Sequence, residues 1–168
     1  MNPPGLLFRP FRIVAAALLL TILGMVGWVG PAQAQSCTIS AVPMAFGAYN
    51  PLTKAAVNTT ATVTTTCTAL IIAGTYSIAI GAGQGATPAT RYLDNNGNRL
   101  NYQIYTDAAR TRVAGDGVAG TSMVTGTIAP LVGLITASRT DTLYGTIAGG
   151  QSAVPGSYGD TIILQLTY

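Results

Sequence analysis

The chain has 168 residues with eight Lys or Arg, five Asp, no Glu and no His, and a formal net charge of +3. The usual general bases are therefore missing, and the few basic residues form no cluster of the kind that follows a nucleic-acid backbone. The one acid–base arrangement left is a pair among Asp94, Asp107, Asp116, Asp141 and Asp160, and these sit beside Gly, Asn, Thr or Ala in turn-like contexts.

Arg9 and Arg12 open a segment that continues as an almost unbroken apolar run over residues 13–29 and ends on Ala32-Gln33-Ala34, the small-x-small pattern read by signal peptidase. Residues 1–34 are expected to be a signal peptide cleaved before Gln35. An uncleaved anchor is the alternative, because the run approaches a membrane span in length. Its removal takes two basic residues with it and leaves six against five Asp, so the basic balance belongs mostly to targeting. Residues 35–168 are of a size usual for one domain.

That domain holds two cysteines, Cys37 and Cys67. An exported chain meets an oxidising compartment, which favours a disulfide between them. Two free thiols or a metal pair are the alternatives, and no His or further Cys exists to complete a zinc site.

Beyond Gln35 the sequence reads as strands and turns, with Thr, Val, Ile, Tyr and Gly dominating. Strands are expected at 37–41 running on toward Tyr49, and at 57–68, 74–80, 100–106, 122–128, 142–147 and 160–168. Tyr76, Ile78 and Ile80 share one face by alternation, as do Ile162, Leu164, Leu166 and Tyr168, so each strand has one buried side. Asn96-Gly97 is a type I′ hairpin signal, since both positions tolerate positive φ. Pro155-Gly156 fits a turn that launches the last strand. An all-β sandwich follows, without an internal repeat.

Five local patterns carry weaker readings. Asp94-Asn-Asn-Gly-Asn98 superficially suggests a calcium loop but lacks the bidentate Glu of that pattern and reads as an Asx-rich turn. Gly81-Ala-Gly-Gln-Gly85 has neither the helix nor the Lys of a phosphate-binding loop. Asn58-Thr59-Thr60 is a formal glycosylation sequon within a strand-like run, and Arg110 with Arg112 is either an anion contact or a solvated surface. The apolar run 129–135, inside the stretch 121–139, is either an exposed contact surface or a buried strand or loop.

The ordered set Cys37-Thr-Ile-Ser40, Phe46-Gly-Ala-Tyr-Asn-Pro-Leu52, Thr65-Thr-Cys67, Leu100-Asn-Tyr-Gln-Ile-Tyr-Thr-Asp107 with Ala109-Arg-Thr111, Gly115-Asp-Gly117, Tyr144-Gly145 and Val154-Pro-Gly-Ser-Tyr-Gly-Asp-Thr161 resembles the spore coat protein U domain family, the subunits of archaic chaperone-usher pili and related secreted coats. The resemblance spans nearly all of residues 35–168. It implies an incomplete immunoglobulin-like β-sandwich that lacks its seventh strand and is completed by a donor strand from a partner. The first and last strands would then flank a groove exposing apolar side chains and unpaired backbone, filled first by a periplasmic chaperone and later by a neighbouring subunit through β-strand addition.

By the same resemblance Ile162, Leu164, Leu166 and Tyr168 are groove-wall or chaperone-contact residues, with the Tyr168 carboxylate meeting basic residues of the chaperone; packing in the domain's own core is the alternative. The polymerising members of the family carry an alternating apolar extension before the first Cys, whereas only Gln35 and Ser36 would precede Cys37 here after cleavage. A terminal (tip) or minor subunit is the resulting expectation. The chain is thus expected to be a secreted structural subunit of a surface fibre or coat, exported through the periplasm to the cell surface, with a chaperone, an outer-membrane usher and other pilus or coat subunits as partners. No catalytic residue, cofactor, metal or nucleic acid is expected. A free-standing secreted adhesin or ligand-binding β-sandwich is the competing expectation.

Overall fold

The computed structural model describes residues 36–168, apart from the side chains of residues 69–73 and 129–135; the expected signal peptide lies outside the described residues. Six strands are formed, β1 (Ser36–Ala41), β2 (Val57–Ile80), β3 (Tyr92–Asn95), β4 (Asn98–Tyr105), β5 (Val124–Ile147) and β6 (Leu164–Thr167). All pairings are antiparallel.

A ribbon of β2 and β5, 24 residues each, dominates the architecture. The expected strands 57–68 and 74–80 are the two halves of β2, and 122–128 and 142–147 fall at the two ends of β5. Residues 129–135 lie within β5, where the backbone pairs Ala69↔Ile135, Ile71↔Val132 and Ile72↔Leu131, so the strand alternative holds for this run at the level of the backbone. Register shifts between Ala69 and Ile71 and between Ile72 and Gly74 interrupt the ladder, and such bulges bend and twist a strand.

The bend folds the ribbon onto itself. Tyr76, in the second half of β2, donates a hydrogen bond to the carboxylate of Asp141, whose strand partner Val63 lies in the first half. Along a straight ribbon those positions would be roughly 40 Å apart at about 3.3 Å per residue. Two sheets result. One runs β1, first half of β2, second half of β5, β4, β3; the other runs β6, second half of β2, first half of β5.

Alternation decides what the sheets bury between them. Ala61, Val63, Thr65 and Cys67 point inward from the first half of β2, Tyr76, Ile78 and Ile80 from the second, Leu100, Tyr102 and Ile104 from β4, and Leu143 and Ile147 from β5. The hydroxyls between them face out, where Thr64 meets Thr140, Thr66 meets Ser138 and Thr68 meets Thr136 across the ladder at 2.9–3.0 Å. The β3–β4 hairpin turns on Asn96 and Gly97 at φ 51° and 88°, both in the left-handed region that the type I′ signal requires.

Three boundaries differ from the sequence reading. β1 stops at Ala41, because Pro43 follows and has no N–H to continue a ladder. Pairing over residues 160–168 narrows to Leu164–Thr167, because the approach to β6 is held by Asp160 and by Gly159 bridging Asp94. β3 was not foreseen: Tyr92–Asn95 has only four residues and little alternation, and it is extended chiefly because the Asn96-Gly97 turn folds it onto β4.

Candidate partner-strand groove

β1 and β6 pair with the same edge of β2 at different heights, β1 with residues 63–68 and β6 with residues 77–80. After the ribbon folds they are the edge strands of the two sheets on one side of the sandwich. Among the described residues neither pairs with a second strand, so residues 39–41 of β1 and Leu164–Thr167 of β6 present backbone groups to the gap between the sheets.

Between these edges lies a cavity of about 250 Å³. Its β1 wall is Ala41, Val42, Pro43, Met44 and Phe46, its β6 wall is Ile162 and Leu164, and Val63, Ile80, Ile104 and Leu143 are among the residues forming its floor. Gly145 explains how the β1 wall sits so close to β5: a Cβ there would collide with Met44 and with the Phe46 ring. Phe46 in turn packs edge-on against Tyr102, with ring centroids 5.6 Å apart. A second cavity of about 720 Å³ shares Met44, Phe46, Leu93 and Asp160 with the first and continues beneath residues 44–51 and 153–160.

Asp160 is the one charged side chain lining the smaller cavity. Its carboxylate accepts hydrogen bonds from the Tyr102 hydroxyl at 2.7 Å and from the backbone N–H groups of Gln84 at 3.0 Å and Thr161 at 2.7 Å. Burial, and then the bond to Asp160, push the Tyr102 phenol well above its ordinary range. Beside it Arg91 is 1% exposed. All five of its N–H donors are used: Nε and Nη2 on the Gly81 carbonyl, Nη2 also on the Ile80 carbonyl, and Nη1 on the Pro88 carbonyl and Gln103 Oε1, at 2.6–3.0 Å. This cation fastens the loop leaving β2, while Asp160 fastens the segment entering β6, and together they hold the groove's β6 wall in place.

Ile162 and Leu164 line the cavity. Leu166 is half-buried and packs against the core beyond the cavity lining, and Tyr168 is 55% exposed near Thr75 and Ser77. Ile163 between them points away, 75% exposed. Cys37 and Cys67 stand directly opposite in the β1–β2 register and form a disulfide, Cα–Cα 4.0 Å. The β1 wall was missed: Val42-Pro43-Met44 is an apolar run after a strand broken by proline, the one signal that could have located it.

The weaker motifs resolve structurally. The Asp94 carboxylate accepts from Gly97 N–H, which is an Asx turn. The Gly81–Gly85 loop turns the Gly81 carbonyl toward Arg91, the reverse polarity of a phosphate cradle. Asn58 lies in β2 and accepts from Thr146 Oγ1 at 2.8 Å. Among the described residues no group of three or more His, Cys, Asp or Glu could hold a metal, and no helix is long and apolar enough to cross a membrane.

No curated protein sequence matches the chain. Among solved structures it is similar to one chain of the CsuC–CsuE chaperone–tip adhesion subunit pre-assembly complex from the archaic chaperone-usher Csu pili of Acinetobacter baumannii. The TM-score is 0.54 and the identity 18%, over 80% of this chain and 40% of that one, so the likeness is one of fold. The Spore Coat Protein U domain model matches residues 26–165. With a sandwich of two antiparallel sheets and a match over most of its length, the chain belongs to the Spore Coat Protein U domain family.

Proposed function

We propose that this chain is a structural subunit of a chaperone-usher surface fibre or coat, assembled by accepting a β-strand from another polypeptide between β1 and β6. The observation that carries the reading is a pair of edges, each without a second strand among the described residues, flanking an apolar cavity on opposite sheets and on the same side of the sandwich. An inserted strand would pair its backbone with both edges, each such hydrogen bond worth about 0.5–1.5 kcal/mol net. Alternate side chains would enter the cavity and cover Val42, Met44, Phe46, Ile162 and Leu164, at about 25 cal/mol per Å² of apolar surface removed from water. In the fold relative a chaperone is bound to a tip adhesion subunit; a periplasmic chaperone would be the first occupant here, with an outer-membrane usher and neighbouring subunits acting later. Residues 1–34 would direct export, and the mature domain would end at the cell surface.

Co-expression tests this. Produced alone in the periplasm, the protein should form aggregates or self-swapped oligomers by size-exclusion chromatography, and a cognate chaperone should convert it to a soluble one-to-one complex. A lone monomer that stays soluble and ignores the chaperone would remove the reading and favour a free-standing adhesin.

A further inference from the structure

We propose that the opposite edge of the sandwich carries a separate binding site for a small neutral polyol, of the class of a sugar residue. β4 parts from β5 at Tyr105↔Tyr144, and among the described residues no strand lies beside β5 over residues 140–143 on that side. A cavity of about 410 Å³ opens there, within the range of small-ligand pockets.

Its lining differs in kind from the groove. Thr106, Asp107, Arg112 and Asp141 bring two carboxylates, a guanidinium and an aliphatic hydroxyl to the lining of one space. Both carboxylates are held in position from behind. Asp107 accepts from Thr111 N–H, Thr111 Oγ1 and Arg112 N–H, and Asp141 from Tyr76 and from Arg139 Nε at 3.3 Å.

Two further features point to an occupant. Thr106 Oγ1, in the lining, and Arg110 Nε, on the same loop, are buried with no hydrogen-bond partner among the described residues. Such groups are few in a folded protein and call for an explanation. Arg110 also holds φ at 56°, a conformation L-residues seldom adopt, with its guanidinium 5.8 Å from the centre of the Tyr144 ring; strain of this sort gathers at binding sites.

The charges select the ligand. An anion would meet two carboxylates, and a metal ion would find Arg112 and too few ligating side chains. A neutral polyol suits the set: vicinal hydroxyls donate to carboxylates and accept from a guanidinium, and the Thr106 hydroxyl serves either role. The site lies away from β1 and β6, so it stays open whether or not a strand fills the groove.

The test is titration of the full exported protein with the methyl glycosides of glucose, mannose, galactose and N-acetylglucosamine, followed by saturation-transfer NMR and calorimetry, with glucuronate as the charged comparison. At least one neutral glycoside should bind more tightly than glucuronate. Thr106→Val, which removes an unsatisfied hydroxyl, should leave melting unchanged or raised yet weaken binding about tenfold, and Arg112→Gln should weaken it at least as much. No neutral glycoside bound at about 10 mM, tighter binding of glucuronate, or unchanged affinity in Thr106→Val would each overturn the proposal.

Discussion

Replacing Arg91 with Met keeps most of the side-chain volume and removes every hydrogen bond the guanidinium donates. Three carbonyls, those of Ile80, Gly81 and Pro88, then lose the guanidinium, while Gln103 Oε1 loses it but keeps the Ile104 N–H at 2.9 Å. An acceptor left unsatisfied at a buried site costs about 1–3 kcal/mol. Relief from burying the cation offsets part of this, so the low end of the range applies to the three carbonyls and the net loss is roughly 3–4 kcal/mol. That is a large share of the roughly 5–15 kcal/mol that holds a domain folded, and it corresponds to a fall in Tm of roughly 10–20 °C for a domain of this size.

Arg91→Lys keeps the charge but offers one nitrogen where four acceptors are spread around a planar fork, so it should fall between native and the Met variant. Thermal melts followed by far-UV circular dichroism, on native and variant proteins prepared identically, measure the differences. If Arg91→Met melts within a few degrees of native, the loop leaving β2 does not depend on the buried cation, and the reasoning fails.

Cys67→Ser opens a closed loop of 30 positions and should cost roughly 3–4 kcal/mol in the chain-entropy model, read as a lower periplasmic yield and a lower urea midpoint; equal yields would count against the staple. Burial first, and then the hydrogen bond to Asp141, push the Tyr76 phenol up to about 12 from its ordinary 10. The folded state thus holds this proton more tightly than the unfolded chain, so stability should be flat below about pH 10 and fall as pH rises toward 12. Tyr76→Phe should make that fall shallower, the raised Tyr102 phenol supplying the remainder, and an unaltered profile would remove Tyr76 as a source. N-terminal sequencing of the exported protein should begin at Gln35; a start well upstream would leave a segment ahead of Cys37 long enough to serve as a strand donor to the next subunit.

Wherever burial is one-sided, the sequence was readable, because alternation leaves a trace. The inward sets Tyr76, Ile78, Ile80 and Leu100, Tyr102, Ile104 are explicit in the residue order, and the Asn96-Gly97 hairpin needs only its own φ preferences. The continuity of β2 through residues 69–73 was not legible, since an apolar run has no period to distinguish a strand from a break between strands. One wall of the cavity was legible for the same reason: Ile162 and Leu164 alternate with exposed Ile163, whereas the opposing wall from Ala41 to Phe46 is irregular chain positioned by its fit over Gly145. Arg91 gave no signal, because nothing in an isolated arginine tells that five carbonyl and amide contacts await it. Tyr168 carried the right periodicity but lies past the end of β6, where alternation no longer implies burial.

Hydrogen exchange on β1 and β6 addresses most directly whether the sandwich waits for a strand. In the lone protein the amides of residues 39–41 and Leu164–Thr167 that point away from β2 should exchange nearly as fast as in an unfolded chain, and both sets should become protected together once a chaperone or neighbouring subunit is bound. Amides already protected on both strands in an isolated monomer, and unchanged by any partner, would mean that the edges are closed and nothing is inserted between them.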